Sequence, residues 1–208
     1  MNWKNHGNPG FWTLDVIAIK GTDFYCVGAA NNIGLWSTEQ MGWIDQGDKY
    51  GRDIKMITFD SMGTMWCVKT DNKYYKWHTN KWTNLGSWNQ YGFKMVTFDS
   101  NNKMWFVTVN GELFYNSHSH NDSPIFEKQE GINWTLNWID FSAKEPDTEI
   151  YCVGAEGNIG KFKTDNANNG ISQIDNNWTL KMAHYPKIEN NSNVFCVGAE
   201  GNLGFFQL

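Results

Sequence analysis

The chain has 208 residues and a formal net charge of −5, from 17 lysines and arginines against 22 aspartates and glutamates. This length predicts one domain, or two small ones at most, with a substantial buried core. The acidic balance argues against nucleic acid and anionic membranes as partners, because a basic face supplies most of the affinity for both. No apolar run reaches the roughly 18 residues of a membrane span, so we expect no membrane insertion.

The first eight residues contain no apolar segment of the kind that a secretory signal peptide requires. We therefore expect a protein that is cytoplasmic, secreted by a non-classical route, or processed from a longer precursor. Aromatic residues make up 16% of the chain, with 20 glycines and only 4 prolines, and apolar residues do not recur at helical spacing. This composition predicts many short strands joined by Gly/Asn turns.

An internal repeat runs through the chain. The sequence YCVGA at residues 25–29 returns at 151–155, and FCVGA occurs at 195–199. Shorter copies, WCV and WFV, lie at 66–68 and 105–107. The anchor residues are 39 to 46 positions apart, and they are Cys26, Cys67, Phe106, Cys152 and Cys196. Spacings of about 40–50 residues are typical of one four-stranded propeller blade.

Each repeat begins with an apolar strand. These strands are predicted at 14–19, 54–59, 93–98, 136–141 and 180–185, and apolar groups on both of their faces indicate cover on two sides. The anchor strand follows, and then a tight turn. The third aligned turn residue is always Asn or Gly, as a two-residue hairpin with positive φ requires: Asn31, Asn72, Gly111, Gly157 and Gly201. A third strand and a weaker fourth strand complete the repeat.

The two ends of the chain predict how the ring closes. Residues 2–5 (NWKN) resemble the fourth-strand segments at 42–45 and 81–84, whereas the last repeat ends after its third strand. We therefore predict an all-β, five-bladed β-propeller with four antiparallel strands per blade, closed by the N-terminal strand in the last blade. It forms a single domain, 1–208, with repeats at about 8–45, 46–84, 85–128, 129–174, and 175–208 plus 1–7.

One stretch of the sequence resembles a known family. Residues 84–98 (NLGSWNQYGFKMVTF), followed by 103–107 (KMWFV), resemble a blade of the five-bladed tachylectins. The VGAEGN segments at 153–158 and 197–202 resemble tectonin repeats. The resemblance implies a carbohydrate-binding protein with several sites between adjacent blades, partly built by the loops before the inner strands. It also implies N-acetylated or methylated sugars as ligands.

The loops before the inner strands hold the first candidate binding residues. They combine an aromatic ring or an arginine with amides, which suits the C–H face and the hydroxyls of a sugar. These residues are Trp12, Arg52, Tyr91, Asn133, Trp134, Asn177 and Trp178. The alternative is that the three tryptophans are packed between blades, because they share the strand parity of the apolar residues two positions later.

The tight turns hold the second set of candidates, which could hydrogen-bond to sugar hydroxyls: Asn32, Glu156, Asn158, Glu200 and Asn202. The alternative is that these are simply residues that a hairpin turn favours. The four cysteines occupy equivalent positions in different blades, too far apart for disulfides, so we expect four buried thiols. His118 and His120 belong to a polar loop that we interpret as solvated rather than metal-binding.

Two functions remain open. The first is a multivalent lectin that recognises glycans on glycoproteins, glycolipids or microbial polysaccharides, as in agglutination or innate defence. The alternative is a protein–protein interaction scaffold of the WD-type propeller kind, which predicts one large apolar or charged patch on one rim. We expect no enzymatic activity and no cofactor or metal, because no phosphate loop, nucleophile elbow or metal-ligand spacing occurs. The oligomeric state stays open.

Overall fold

The structure is a computed structural model that describes residues 4–5, 12–86, 91–117, 125–141, 149–164, 170–175, 179–184 and 193–207. Within these ranges the chain forms five four-stranded antiparallel sheets; four join strands that are consecutive in sequence, and the fifth joins the first strand of the chain to the last three strands. Each sheet contacts the next through its first strand, which gives a closed ring of blades. The predicted five-bladed propeller is confirmed.

The strands occupy the same four positions in every blade. The inner strands are β2 (Leu14–Lys20), β6 (Ile54–Phe59), β10 (Phe93–Phe98), β14 (Leu136–Phe141) and β18 (Leu180–His184). The second strands are β3 (Asp23–Gly28), β7 (Met65–Lys69), β11 (Met104–Thr108), β15 (Glu149–Gly154) and β19 (Asn193–Gly198).

The outer half of each blade is equally regular. The third strands are β4 (Ile33–Ser37), β8 (Tyr74–His78), β12 (Leu113–Asn116), β16 (Ile159–Lys163) and β20 (Leu203–Gln207). The outermost strands are β1 (Lys4–Asn5), β5 (Gly42–Asp45), β9 (Lys81–Gly86), β13 (Phe126–Lys128) and β17 (Ser172–Asp175). A single turn of helix, α1 (Gly47–Tyr50), precedes blade 2. No described helix has the length and apolar character that a membrane span needs.

The ring closes as the sequence predicts. Strand β1 pairs with β20 in antiparallel register, Lys4 opposite Phe205 and Asn5 opposite Gly204. The last blade is therefore built from both ends of the sequence, and it has four strands like the others. This pairing removes the open seam that an unpaired strand edge would leave.

The core lies between the blades and around the inner strands. The residue that begins each inner strand is at most 2% exposed, and so are the four cysteines. All four cysteines are free thiols, as predicted. Burial raises the pKa of Cys152 and of Cys196 to about 12 and also raises those of Cys26 and Cys67.

The tight turns join neighbouring blades. The backbone amide that begins each inner strand donates to the third turn residue of the preceding blade, over 2.8 to 3.1 Å. These five turn residues all have positive φ, as predicted: Asn31, Asn72, Gly111, Gly157 and Gly201. The loop itself differs from the prediction. In blade 1 Asn31 N donates to Gly28 O and Gly28 N to Asn32 O, which is a three-residue loop with a left-handed third residue.

Candidate functional site

A shared irregularity shapes the centre of one face. In all five inner strands the pairing with the second strand shifts between the first and third residues, as in a β-bulge. A bulge changes the direction of nearby side chains. The residues inside the shift are polar and half-buried in every blade, and they are Asp15, Lys55, Lys94, Asn137 and Lys181. We call the face on which the inner strands begin the top face.

These five residues surround a depression on the axis of the ring, which we call the axial mouth. Its volume is about 300 Å³, and Asn31, Val16, Met56 and Trp138 also line it. Because three blades supply lysine at this strand position, one supplies aspartate and one supplies asparagine, the mouth is one asymmetric site rather than five copies of a site. Its rim is polar and cationic, and its lining includes apolar side chains.

The cations of the axial mouth are unequally neutralised. Lys181 Nζ lies 2.5 Å from Asp15 Oδ1 across the junction of blades 5 and 1. Lys94 Nζ donates to Asn137 Oδ1 at 2.8 Å, and Lys55 Nζ donates to Asn72 Oδ1 at 2.8 Å. Neither Lys55 nor Lys94 has an ion-pair partner among the described residues. Burial lowers the pKa of Lys94, and the positive charge of Lys55 lowers it further.

Trp138 is shared by the axial mouth and by a second cavity at the opposite end of the axis. Its side chain is 8% exposed, and its indole Nε1 is buried without a hydrogen-bond partner in the described part of the chain. An unpaired buried donor is costly, so such a group usually has a partner. The residue shared by the two cavities therefore carries a buried indole N–H that no described group accepts.

The second cavity has a volume of about 700 Å³, and its lining includes three aspartates, Asp60, Asp99 and Asp140, together with Lys20 and His184. His184 Nδ1 lies 2.9 Å from Asp140 Oδ2. The carboxylates of Asp60 and Asp99 are buried and accept hydrogen bonds from the indoles of Trp66 and Trp105. These two aspartates therefore support the inner turns. Among the described residues, no three His, Cys, Asp or Glu side chains are grouped as metal ligands.

The predicted sugar-stacking tryptophans lie against their own blades. A Cβ placed on Gly28 would be 2.9 Å from Trp12 Cε3, and one on Gly154 would be 2.9 Å from Trp134 Cε3. Gly34 and Gly160 are similarly close to these indoles. Both tryptophans are half-buried and pack against the core. Much of the surface of each indole is therefore covered by its own blade, as the packing alternative predicts. Trp178 and Asn177 lie outside the described residues.

The other loop candidates are not brought together. Arg52 is exposed and pairs with Asp45 at 2.8 Å between blades 1 and 2. Burial acts to raise the pKa of Asp45. The hydrogen bonds from the Gly47 amide and from the side chains of Asn32 and Arg52 outweigh burial and hold this pKa below its usual value. Tyr91 packs against Phe114 with ring centroids 5.8 Å apart. Asn133 is exposed, and its Oδ1 accepts from Ile171 N at 3.2 Å.

The turn candidates divide into buried and exposed side chains. Asn32 is 6% exposed and donates to Asp45 Oδ1 at 3.0 Å, so it supports the loop between blades instead of facing solvent. Glu156 and Glu200 are exposed, and Asn158 and Asn202 are half-buried. All four lie in turns on the top face. Glu156 and Asn158 belong to blade 4, and Glu200 and Asn202 belong to blade 5, so the two pairs are in different blades.

Sequence reasoning missed the axial mouth. The inner strands were interpreted as apolar on both faces, although a polar residue follows the first residue in all five: Asp15, Lys55, Lys94, Asn137 and Lys181. That recurrence was the available signal. Alternation alone places this residue on a buried face, and only the bulge explains how it reaches the axis.

A scan against protein-family models gives no match, and a search of the curated proteins gives none either. Solved structures do match. YCF48 from Cyanidioschyzon merolae has a TM-score of 0.57 and 14% identity, over 97% of this chain and 70% of that chain. A chain of the Mitotic Checkpoint Complex has a TM-score of 0.56 and 8% identity, over 94% and 61%.

A third similar structure is the Cps50 (Swd1) β-propeller domain of Myceliophteria thermophila. Its TM-score is 0.54 at 8% identity, over 94% of this chain and 83% of that chain. YCF48 bound to D1 peptide also matches, with a TM-score of 0.56 at 11% identity, over 91% and 63%. At these identities the comparisons support the β-propeller fold alone. They give no support for the tachylectin or tectonin type in particular.

Proposed function

We propose that this propeller is a non-enzymatic scaffold that binds a protein or peptide at the centre of its top face. One observation carries the proposal: two cavities lined by described residues lie on the ring axis, where the inner strands of all five blades meet. A scaffold predicts one charged patch on one rim, whereas a lectin of the tachylectin type predicts repeated pockets between blades. The axial mouth fits the first expectation.

The asymmetry of the axial mouth supports a single partner. Asp15, Lys55, Lys94, Asn137 and Lys181 occupy the same strand position but differ in charge. Equivalent binding sites for one repeated sugar would favour equivalent residues. A single central site with several kinds of side chain is better suited to one irregular ligand surface, such as a peptide or a protein loop.

The similar structures support the proposal by analogy of fold. One of them is described as YCF48 bound to D1 peptide, and another as part of the Mitotic Checkpoint Complex. Neither activity is carried over by sequence identity this low. What the analogy contributes is that rings of this architecture bind peptides or assemble into protein complexes elsewhere.

Glycan binding is the second candidate, and one observation favours it. Trp12 and Trp134 are half-buried instead of fully buried, so each indole retains some accessible surface on the top face. Exposed Asn133 precedes Trp134 in the same loop and could donate its amide to a hydroxyl. This site would be shallow, and it would hold a sugar by partial stacking and few hydrogen bonds.

The deciding experiment compares both ligand classes with one preparation of the full chain. The purified protein is applied to a glycan array and is also used to select from a displayed library of peptides and protein fragments. The scaffold proposal predicts a blank array and enrichment of related peptide sequences. Free sugars should not compete with the selected peptides.

The library selection includes a matched control. Protein that has been unfolded and blocked should enrich nothing, because only the folded ring forms the axial mouth. Binding to simple saccharides, with no enriched peptide, would contradict the scaffold proposal and favour the lectin. Loss of the array signal in a Trp134→Phe variant would then place the sugar at the blade 4 loop.

A further inference from the structure

Several N–H donors of residues that line the axial mouth have no acceptor among the described residues. The Lys55 ammonium has three N–H groups and makes one hydrogen bond, to Asn72 Oδ1, among the described residues. Lys94 makes two, to Asn137 Oδ1 and to Leu136 O at 3.2 Å. The Trp138 indole makes none to the part of the chain that the structure describes. A group that fills these positions must therefore accept hydrogen bonds.

The charge of the axial mouth selects for an anion. Three lysines and one aspartate face it, and Asp15 is already paired with Lys181. Lys55 and Lys94 come from adjacent blades, so a negative group between them would be attracted by both ammonium groups. Their repulsion is unfavourable in the empty site, and one carboxylate between them would relieve it. This cationic site is notable in a chain of net charge −5.

The apolar lining narrows the ligand class further. Val16, Met56 and Trp138 line the same depression, and Met56 and Trp138 are at most 8% exposed. A bare inorganic anion would gain nothing from these groups. A glutamate side chain has two methylenes to contact them and a carboxylate to meet the lysines. A volume of about 300 Å³ accommodates one such side chain with its adjoining backbone.

We propose that the axial mouth binds a glutamate-rich segment of a partner protein, with one glutamate carboxylate between Lys55 and Lys94 and its methylenes against the apolar lining that includes Trp138. The proposal rests on the scaffold function and specifies the chemistry of the partner. The lysines are held in place by Asn72 and Asn137, so the donors are arranged before the ligand arrives.

The test uses a dye-labelled peptide with four consecutive glutamates flanked by glycine and serine, and its glutamine counterpart. Fluorescence anisotropy with the full chain should give at least about tenfold weaker binding for the glutamine peptide than for the glutamate peptide. Added salt should weaken the binding of the glutamate peptide. Equal binding of the two peptides would overturn the proposal. Inorganic phosphate is titrated separately as a competitor.

Two charge-matched variants locate the site. The double variant Lys55→Gln with Lys94→Gln should bind the glutamate peptide at least about tenfold more weakly than the unchanged protein. The control is Lys81→Gln with Lys163→Gln, since both of these lysines are exposed and neither lines the mouth. The control should bind like the unchanged protein. Equal losses in the two variants would indicate nonspecific attraction and would overturn the proposal.

A measurement on the unchanged protein avoids any folding defect of the variants. In a ¹H–¹⁵N NMR spectrum, the Trp138 indole signal is identified by its loss in Trp138→Phe. The glutamate peptide should shift this signal, and the glutamine peptide should not. An unmoved signal would overturn the proposal.

The outcomes separate this inference from the scaffold function. If the library yields peptides that lack acidic residues and bind the lysine variant normally, the scaffold function stands and the inference is wrong. If the library yields nothing, and the labelled peptide does not bind, both are wrong. If phosphate alone binds with the same lysine dependence, the mouth is a small-anion site and the peptide inference is wrong.

Discussion

The backbone amide of Leu14 donates to the carbonyl of Gly201 over 3.1 Å, although the two residues lie near opposite ends of the chain. The bond joins blade 5 to blade 1 in the same way that four other bonds join the remaining blades. Gly201 has a φ of 82°, a backbone angle that residues other than glycine and asparagine rarely adopt. Ring closure and turn conformation therefore depend on the same residue.

Gly201→Ala should destabilise the protein strongly. The added Cβ would lie 2.5 Å from Thr13 Cγ2 and 2.9 Å from Leu14 N. Left-handed backbone alone costs alanine about 1–2 kcal/mol, and the clash adds to this. Urea unfolding measures the loss. The control is Gly21→Ala, because Gly21 also has positive φ but no heavy atom within 4 Å of the added Cβ. Equal losses for both variants would contradict the closure argument.

Asp60→Asn should leave a buried donor unpaired. Asp60 Oδ2 accepts from Trp66 Nε1 at 2.9 Å, and Oδ1 accepts from the amides of Met62 and Thr64. An amide NH₂ facing the indole N–H would cost about 1–3 kcal/mol. Chemical denaturation of the single variants and of Asp60→Asn with Trp66→Phe gives the coupling. The double variant should lose less than the sum of the single losses, and strict additivity would be the contrary result.

Trp134→Ala should lower stability by about 2 kcal/mol or more, because the indole lies over Gly154 and Gly160 of its own blade. Gly154→Ala alone should also destabilise, since its Cβ would press on the ring. With both changes together, the new methyl would occupy part of the vacated space. The double variant should therefore have a higher melting temperature than the Trp134→Ala variant. A melting point unchanged by Trp134→Ala would instead indicate that the indole is free for a ligand.

The native protein should resist thiol alkylation. Because burial raises the pKa of Cys152 and Cys196 to about 12, only about one in ten thousand of these thiols is ionised at pH 8. Iodoacetamide should label neither residue in the folded chain within hours, as followed by mass spectrometry. In urea all four cysteines should react within minutes. Rapid labelling without denaturant would refute the burial of these strands.

Much of the fold could be predicted because the repeat encodes it locally. The inner strands begin at the predicted residues, Leu14, Ile54, Phe93, Leu136 and Leu180. Asn or Gly recurs at each turn because the left-handed conformation excludes most other side chains. The predicted two-residue hairpin was wrong, because an Asn or Gly with positive φ suits the three-residue loop that forms as well as the two-residue hairpin.

The candidate site was harder to predict because it depends on contacts between blades. Trp134 fits a sugar-binding loop by composition, yet only the packed structure reveals that glycines of its own blade leave room for its ring. Asn32 is similar, since its partner Asp45 is 13 residues away on another strand. The lysines of the axial mouth come from three separate repeats, and no local pattern states that they share one opening.

Trp138 belongs to the lining of both axial cavities, so one indole divides the lumen of the ring. The cavity lined by Lys55, Lys94 and Lys181 and the cavity lined by Asp60, Asp99 and Asp140 are therefore two compartments that meet at this side chain. A smaller residue at this position would merge the two compartments.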